Sequence, residues 1–245
     1  MVPIGEGVGR MDERLKRIRE SERKSHIEIY TDAKLYATDS WLKKPIKTVR
    51  DIVSLFEDYS SFRVLDLGSG VGRNSIYVAE YFRDKDCVVD CVDLLEIAIE
   101  KLLENAREHN VEASIRGIQK SIEDFTIEGD TYDFIMAVSA LEHIDTEESF
   151  QNKLREISEG LREKGVVCLV INSEVREKNA DTGEAVDAQF EVNIPTVKMQ
   201  KYLQEVFEGW NVLKTTVSAQ EYDIPREGFV SRLSTNVITF VARKE

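Results

Sequence analysis

Short apolar runs alternate with helical patterns through the middle of the chain. Apolar residues recur at four-residue spacing at Leu94, Ala98, Leu102 and Ala106, which predicts an amphipathic helix. The predicted strands are residues 64–67, 88–92, 134–138 and 166–171, with a weaker candidate at 113–118, and the predicted helices are residues 75–82, 94–108, 148–162 and 196–207. Near-continuous apolar strands separated by helices predict a doubly wound α/β fold, with a parallel sheet covered on both faces.

The two ends of the chain depart from this alternation. Residues 11–26 are charge-dense with a thin apolar stripe and predict a helix, and a second helix is predicted from Asp39 or Ser40, as N-cap residues, to about Tyr59. At the other end, the apolar runs 212–219 and 236–242 predict an antiparallel pair of strands at the sheet edge. We expect an N-terminal helical cap in residues 1–60 and a single α/β domain in residues 61–245.

Composition and charge indicate which kinds of partner and which cellular compartment to expect. The chain has 245 residues and a net charge of −13, which disfavours nucleic acids and anionic membranes as partners, because both are bound by basic faces. Three cysteines, Cys87, Cys91 and Cys168, lie in apolar runs and predict reduced thiols in the cytoplasm. The first ten residues show no hydrophobic signal region, and no apolar run is long enough to span a bilayer. Three histidines are scattered, so no metal site is predicted.

A glycine-rich turn between a predicted strand and a predicted helix carries the clearest chemical signal. Gly68, Gly70 and Gly72 would let the backbone approach a ligand closely. The third glycine comes one position early for the dinucleotide fingerprint. Asp66 stands two residues before the first glycine, and a carboxylate facing the ligand there would repel a pyrophosphate but suit a cation. A cofactor with an amino group and a sulfonium, S-adenosylmethionine, meets this requirement.

A second acid falls at the end of the next predicted strand. Asp93 comes 21 residues after Gly72 and could accept hydrogen bonds from both hydroxyls of a ribose. It could equally cap the helix predicted at residues 94–108. The two roles are compatible, so both remain open from the sequence.

The motif from Asp66 to Gly72 resembles motif I of the class I S-adenosylmethionine-dependent methyltransferases. Residues 132–143 resemble the strand and loop of the family's motif II, and residues 121–125 fall where the family has its adenine loop. The resemblance covers about residues 28–245. It implies a Rossmann-like sheet of seven strands, mostly parallel with an antiparallel C-terminal strand, and S-adenosylmethionine as the cofactor.

The resemblance also implies which residues bind the cofactor. The glycine turn would hold the methionine part by backbone contacts, Asp93 the ribose, and Leu94 and Ile122 the adenine. Glu123 could reach the adenine amino group or remain a surface charge. The implied cofactor-binding residues are Asp66, Gly68, Ser69, Gly70, Gly72, Asp93, Leu94, Ser121, Ile122 and Val138.

Within the family, the tellurite-resistance methyltransferases are the most similar. Residues 65–75, 208–210 and 241–244 carry this resemblance, although Ser69 replaces a cysteine and Ser121 an aspartate that are common there. The implied activity is methyl transfer to a small electron-rich acceptor, such as a tellurite-type oxyanion or a thiol. The candidate substrate residues are Arg73, Trp41, His143 and Arg232, with Arg226 as a further basic residue.

No residue is assigned a catalytic role, because an acceptor with its own lone pair needs little acid or base help. His143 is interpreted mainly as a packing residue of its loop. We expect residues 28–44, residues 1–60 more generally and the polar insertion 173–195 to close over the pocket. A nicotinamide-dependent oxidoreductase and a non-catalytic S-adenosylmethionine-binding module remain as alternatives, and the oligomeric state is open.

Overall fold

The computed structural model describes residues 6–32, 34–37, 42–226 and 228–245. The helices in this part of the chain are α1 (Glu6–Asp32), α2 (Lys47–Ile52), α3 (Ser75–Tyr81), α4 (Glu96–Glu108), α5 (Glu147–Gly160) and α6 (Thr196–Val206), with short 3₁₀ turns at Val53–Phe56 and Leu141–His143. The strands are β1 (Ser61–Leu67), β2 (Asp86–Asp93), β3 (Ile115–Gln119), β4 (Tyr132–Val138), β5 (Leu161–Asn179), β6 (Ala185–Val186), β7 (Asn211–Arg226) and β8 (Phe229–Arg243). No described helix is both long and apolar enough to cross a membrane.

The strands form one sheet in the order β3-β2-β1-β4-β5-β8-β7, with the short β6 paired to β5. Strands β1 to β5 are mutually parallel, whereas β8 runs antiparallel to both β5 and β7. This arrangement confirms the predicted α/β Rossmann-like sheet, mostly parallel with antiparallel C-terminal strands. The order of the strands reverses at β1, which has β2 on one side and β4 on the other. The carboxyl ends of these three strands therefore meet at one crevice.

Helices cover both faces of the sheet, as the near-continuous apolar strands require. Successive residues of β1 alternate between the two faces: Val64 packs into the cluster under α2, α3 and α4, and Leu65 into the cluster under α5 and α6. The Phe56 and Phe134 rings make a tilted contact within the first cluster, and Phe150 packs in the second. Asp66 lies two residues after Val64 and therefore on the same face of β1, so its carboxylate points towards α3.

The second helix begins later than predicted. It starts at Lys47, and Ile46 before it is extended. A proline disfavours helical geometry in the residue before it, so Pro45 prevents a helix from running through from Ser40. Asp39 and Ser40, the predicted caps, lie outside the described residues.

The C-terminal strands are longer than predicted. Strands β7 and β8 form a continuous hairpin, and β5 extends to Asn179 inside the predicted insertion 173–195. Arg226 and Arg232 therefore lie within strands rather than in a loop between them. The hairpin pattern is hidden in the sequence because most of β7 is exposed on both faces, so polar residues occupy both sides of the strand.

Helix α5 offers a direct test of local stability. The Thr146 hydroxyl accepts a hydrogen bond from the backbone N–H of Ser149 at 3.1 Å and caps the helix. Thr146→Ala should lower the free energy of unfolding by about 1 kcal/mol, because one N–H of the first turn loses its partner. Urea denaturation measures this. Thr146→Ser keeps the hydroxyl and should recover most of the loss; an equal loss in both variants would contradict the capping role.

Candidate active site

The glycine turn connects β1 to α3 and lies against two neighbouring segments. The N–H groups of Gly68 and Ser69 donate to the Val92 carbonyl at 2.8 and 3.0 Å, which ties the turn to the end of β2. Gly68 has a φ of +73°, and a Cβ there would lie 2.3 Å from the Ala140 Cβ. The positive φ and the close approach of the loop after β4 both require glycine at this position.

Asp66 lies behind the turn rather than in the crevice. Its buried carboxylate accepts a hydrogen bond from the Ser75 hydroxyl at the start of α3. Burial raises the pKa of Asp66 to about 7; the charge of Asp93 adds to this rise, while Ser75 and Arg73 oppose it. The expectation that this side chain faces the ligand is wrong in geometry, because the alternation of β1 directs it under the turn.

Asp93, the last residue of β2, holds the turn and the start of α4 together. Its Oδ2 accepts from the Gly70 N–H at 2.8 Å, and its Oδ1 accepts from the Leu95 N–H at 3.0 Å. Burial raises the pKa of Asp93, and these two hydrogen bonds oppose the rise. The N-cap of α4 is Leu95, without a side-chain hydrogen bond, so Asp93 does not cap the helix but holds the residue before it. The same side chain also lines the crevice.

A cavity of about 140 Å³ lies at the carboxyl ends of β1, β2 and β4. The structure brings six sequence-predicted residues to its wall: Gly68, Asp93, Leu94, Ser121, Ile122 and His143. Glu123, which the sequence left between a cofactor contact and a surface charge, also lines it. Ser121 keeps its hydroxyl engaged with Asp124 at 2.7 Å. The predicted adenine loop and motif II loop therefore meet at one place.

Other predicted residues lie off the cavity wall. Ser69, Gly70 and Gly72 sit behind Gly68 in the turn, and the Ser69 hydroxyl is buried with no hydrogen-bond partner in the described part of the chain. Val138 ends β4 beside the lining residue Ser139. The backbone carbonyl of Arg73 accepts from the Tyr36 hydroxyl at 3.0 Å.

The predicted basic residues of the C-terminal segment do not reach the cavity. Arg232 pairs with Asp223 at 2.8 Å on the exposed hairpin, because β8 places it opposite that residue of β7. Arg226 pairs with the buried Glu177 of β5 at 2.7 Å. Trp41, the remaining substrate candidate, lies outside the described residues.

Helix α1 supplies wall residues that were not among the predicted site residues, although residues 1–60 were expected to close over the pocket. Arg19, Arg23, His26 and Tyr30 all line the cavity. Their spacing of four, three and four residues places them on one helical face, a signal that was available in the sequence. The buried Tyr30 hydroxyl lies over the turn, 3.0 Å from where a Cβ of Gly70 would stand.

One end of the cavity holds a cluster of charged side chains. Arg19 contacts Glu123 at 2.5 Å and Glu191 at 3.8 Å, and Nδ1 of His143 lies 3.0 Å from the Glu191 carboxylate. Burial disfavours the charge of Arg19, but Glu123 and Glu191 outweigh it and raise the pKa of Arg19. Glu191 comes from the aperiodic segment after β6, so no local pattern could have identified it.

Comparison with known proteins agrees with this geometry. Residues 64–165 match the family model described as methyltransferase domain. Among solved structures, TehB from Haemophilus influenzae has a TM-score of 0.58 at 22% identity, covering 80% of this chain and 62% of that chain. An S-adenosylmethionine-dependent methyltransferase from Methanosarcina mazei has a TM-score of 0.58 at 13% identity, covering 82% of this chain and 98% of that chain.

A geranyl diphosphate methyltransferase in complex with S-adenosylmethionine has a TM-score of 0.57 at 15% identity, covering 81% of this chain and 84% of that one. Comparison with curated proteins gave no match. The fold is therefore the Rossmann-like fold of class I methyltransferases. The family match indicates a methyltransferase domain within residues 64–165. This chain spans 62% of the length of TehB, and that likeness shows the fold alone.

Asp66 allows a test of the electrostatics behind the turn. In the unfolded chain an aspartate releases its proton near pH 4, whereas the native Asp66 holds it up to about pH 7. Between these values the native state binds more protons, so this carboxyl lowers stability as the pH rises from about 4 to about 7. Asp66→Asn removes the effect, and its stability relative to wild type should rise by up to roughly 4 kcal/mol across this window.

Urea denaturation of both proteins between pH 4.5 and 8 measures the difference. Asp86→Asn, at the exposed start of the same β2 strand that ends in Asp93, is the matched control. A difference between Asp66→Asn and wild type that stays constant over this pH range would contradict the burial of an ionisable carboxyl at this position.

Proposed function

We propose that this protein transfers the methyl group of S-adenosylmethionine to a small electron-rich acceptor, with the cofactor lying across the glycine turn. The position of Asp93 carries this proposal. Its carboxylate lines the cavity while fixing the turn through Gly70, so one side chain both shapes the methionine site and is available to a ribose. Each carboxylate oxygen can accept a further hydrogen bond.

The residues present fit this cofactor. The turn approaches the crevice with backbone only, and the orphaned Ser69 hydroxyl gives a buried polar atom that a ligand would satisfy. Leu94 and Ile122 provide apolar surface for an adenine, with Ser121 and Glu123 at its polar edge. Asp66 would act at a distance, by holding the start of α3 through Ser75 and by adding negative charge near a cationic ligand.

The bound cofactor supplies an electrophilic methyl group on a sulfonium. The chain's own contribution is to hold the acceptor in line with that methyl and to exclude water from it. Effects of this kind contribute about 7–11 kcal/mol to catalysis when two reactants are well oriented. The face of α1 formed by Arg19, Arg23, His26 and Tyr30 closes the cavity and provides this shielding.

For the acceptor, we propose a small molecule such as a tellurite-type oxyanion or a thiol. The short motifs at residues 65–75, which resemble the tellurite-resistance methyltransferases, support an acceptor of this kind. The guanidinium groups of Arg19 and Arg23 support an acceptor that is anionic when it reacts. The buried free thiols of Cys87, Cys91 and Cys168 favour a reducing compartment, the cytoplasm, and the net charge of −13 disfavours nucleic acid.

Asp93 gives the main test. Asp93→Ala should weaken binding of S-adenosylhomocysteine between several-fold and a hundredfold, because hydrogen bonds to a charged acceptor contribute about 1.5–3 kcal/mol. Isothermal titration calorimetry measures this, with Asp86→Ala at the other end of β2 as the control and NAD as the competing ligand. Unchanged affinity in Asp93→Ala would remove this residue from the site. Binding of NAD in place of S-adenosylhomocysteine would overturn the proposed function.

We further propose that residues 1–60 form a cap that must open to admit the cofactor. The cavity of about 140 Å³ is smaller than the roughly 300–1,000 Å³ of typical ligand pockets. Tyr30 lies over the turn, and Arg19 is anchored to Glu123 across the cavity. The earlier expectation of a lid at residues 28–44 is thereby extended to the cavity face of α1.

Hydrogen exchange with and without S-adenosylhomocysteine tests the cap. Amides of α1 from Arg19 to Tyr30 should exchange more slowly in the bound state, because the ligand adds contacts to the inner face of the helix. Amides of residues 28–44 should also exchange more slowly in the bound state. Amides of α6, on the opposite sheet face and away from the cavity, serve as the internal control. Equal protection of α1 in both states would contradict a mobile cap.

A further inference from the structure

A histidine–glutamate pair is built into the charged end of the cavity, where Arg19 also lies. His143 closes the 3₁₀ turn after β4, and its Nδ1 lies 3.0 Å from Oε2 of Glu191. The Glu191 side chain is only 1% exposed, whereas that of His143 is 28% exposed and lines the cavity. A carboxylate is costly to bury, so one placed here must be compensated by its partners, His143 and Arg19.

The surroundings fix the orientation of this imidazole. The Phe190 ring stacks on it with the ring centroids 5.4 Å apart. The segment that carries Phe190 and Glu191 is held by the bond from the Val192 N–H to the Glu142 carbonyl at 3.1 Å. Glu142 itself is buried and bound to Asn172 of β5. An imidazole held through Nδ1 by a buried carboxylate has a fixed ring position and a stabilised cationic form.

Other charged groups face the same ring. Asp93 approaches from the end of β2 and Glu142 from its own turn, and both interact electrostatically with His143. Arg19 of α1 lies on the far side of Glu191 and balances part of the negative charge. Arg23 and His26 of α1 line the same cavity, so groups of both charges surround the ring.

We propose that His143, positioned by Glu191, is a general base, so that the acceptor is a thiol or hydroxyl compound that gives up a proton as it is methylated. This rests on the proposed methyltransferase function. The acceptor's sulfur or oxygen forms a bond to the methyl carbon while the bond from that carbon to the sulfonium sulfur breaks. The electron pair of the broken bond stays on that sulfur, which becomes a neutral thioether, and the acceptor proton passes to the imidazole.

This assignment narrows the acceptor class. A fully ionised oxyanion has no proton to lose, so a base beside it would contribute nothing. A hydroxyl of high pKa gains most, because its neutral form is a poor nucleophile. Glu191 is a positioning residue: it orients the ring and stabilises the imidazolium that forms.

The test uses the full-length protein and labelled S-adenosylmethionine, with phenol, 2-mercaptoethanol and selenite as acceptor probes. Wild-type protein should methylate phenol or 2-mercaptoethanol, with a rate that rises with pH through the titration range of an imidazole, whose ordinary pKa is about 6.5. His143→Gln should lower kcat for these acceptors by about 10²–10⁴-fold and abolish that rise. Added imidazole should partly restore activity to His143→Ala.

Glu191→Gln should lower kcat less than His143→Gln does and should shift the rising limb of the pH profile, which a merely structural residue would not do. His109→Gln is the matched control, because Nδ1 of His109 pairs with Glu80 at 2.9 Å away from the cavity and its loss should leave all rates unchanged. Thermal melts show that each variant is folded. Its affinity for S-adenosylhomocysteine, expected within about twofold of wild type, shows that it still binds the cofactor.

The outcomes separate this inference from the proposed function. Failure of the wild-type protein to bind S-adenosylhomocysteine overturns both. Intact cofactor binding with methylation of selenite alone, or of none of the three probes, overturns the general base and leaves the cofactor site standing. A His143→Gln variant that turns over phenol or thiol at the wild-type rate, with the same pH profile, also overturns it.

Discussion

The tie between the glycine turn and the end of β2 is the constraint on which the site depends. The Val92 carbonyl accepts two N–H groups of the turn, and the next residue, Asp93, accepts a third while also accepting the Leu95 N–H. One strand end therefore fixes both the turn after β1 and the start of α4. Parallel pairing of β1 with β2 and β4 makes this possible, because it brings three carboxyl ends to one crevice.

Burial then assigns different roles to the two acids near the turn. Asp66 is enclosed under α3, where the Ser75 hydroxyl donates to its carboxylate; burial favours its protonated form, and it supports the turn from behind. Asp93 keeps two backbone donors and lines the cavity. The same principle applies at the charged end of the cavity, where Glu191 is buried but remains compensated by His143 and Arg19.

Helix α1 links the two ends of the cavity. It places Tyr30 over the glycine turn and Arg19 between Glu123 and Glu191, so opening of the proposed cap would expose both ends together. Such coupling suits methyl transfer, because water must be excluded from both reactants at once. It also means that a substitution at Arg19 would affect the cap and the electrostatics of His143 together.

The sequence by itself determined the alternation of strands and helices, the glycine turn and the two acids, because strand and helix periods and the special backbone needs of glycine are local properties. It misplaced the start of α2, which Pro45 sets, and the ends of the C-terminal hairpin, because β7 is exposed on both faces and carries no apolar alternation. Only the tertiary structure turned Asp66 under α3, moved Arg232 away from the cavity and joined Glu191 to His143, which are 48 residues apart. Contacts of this kind depend on how segments pack, and neighbouring residues along the chain do not encode them.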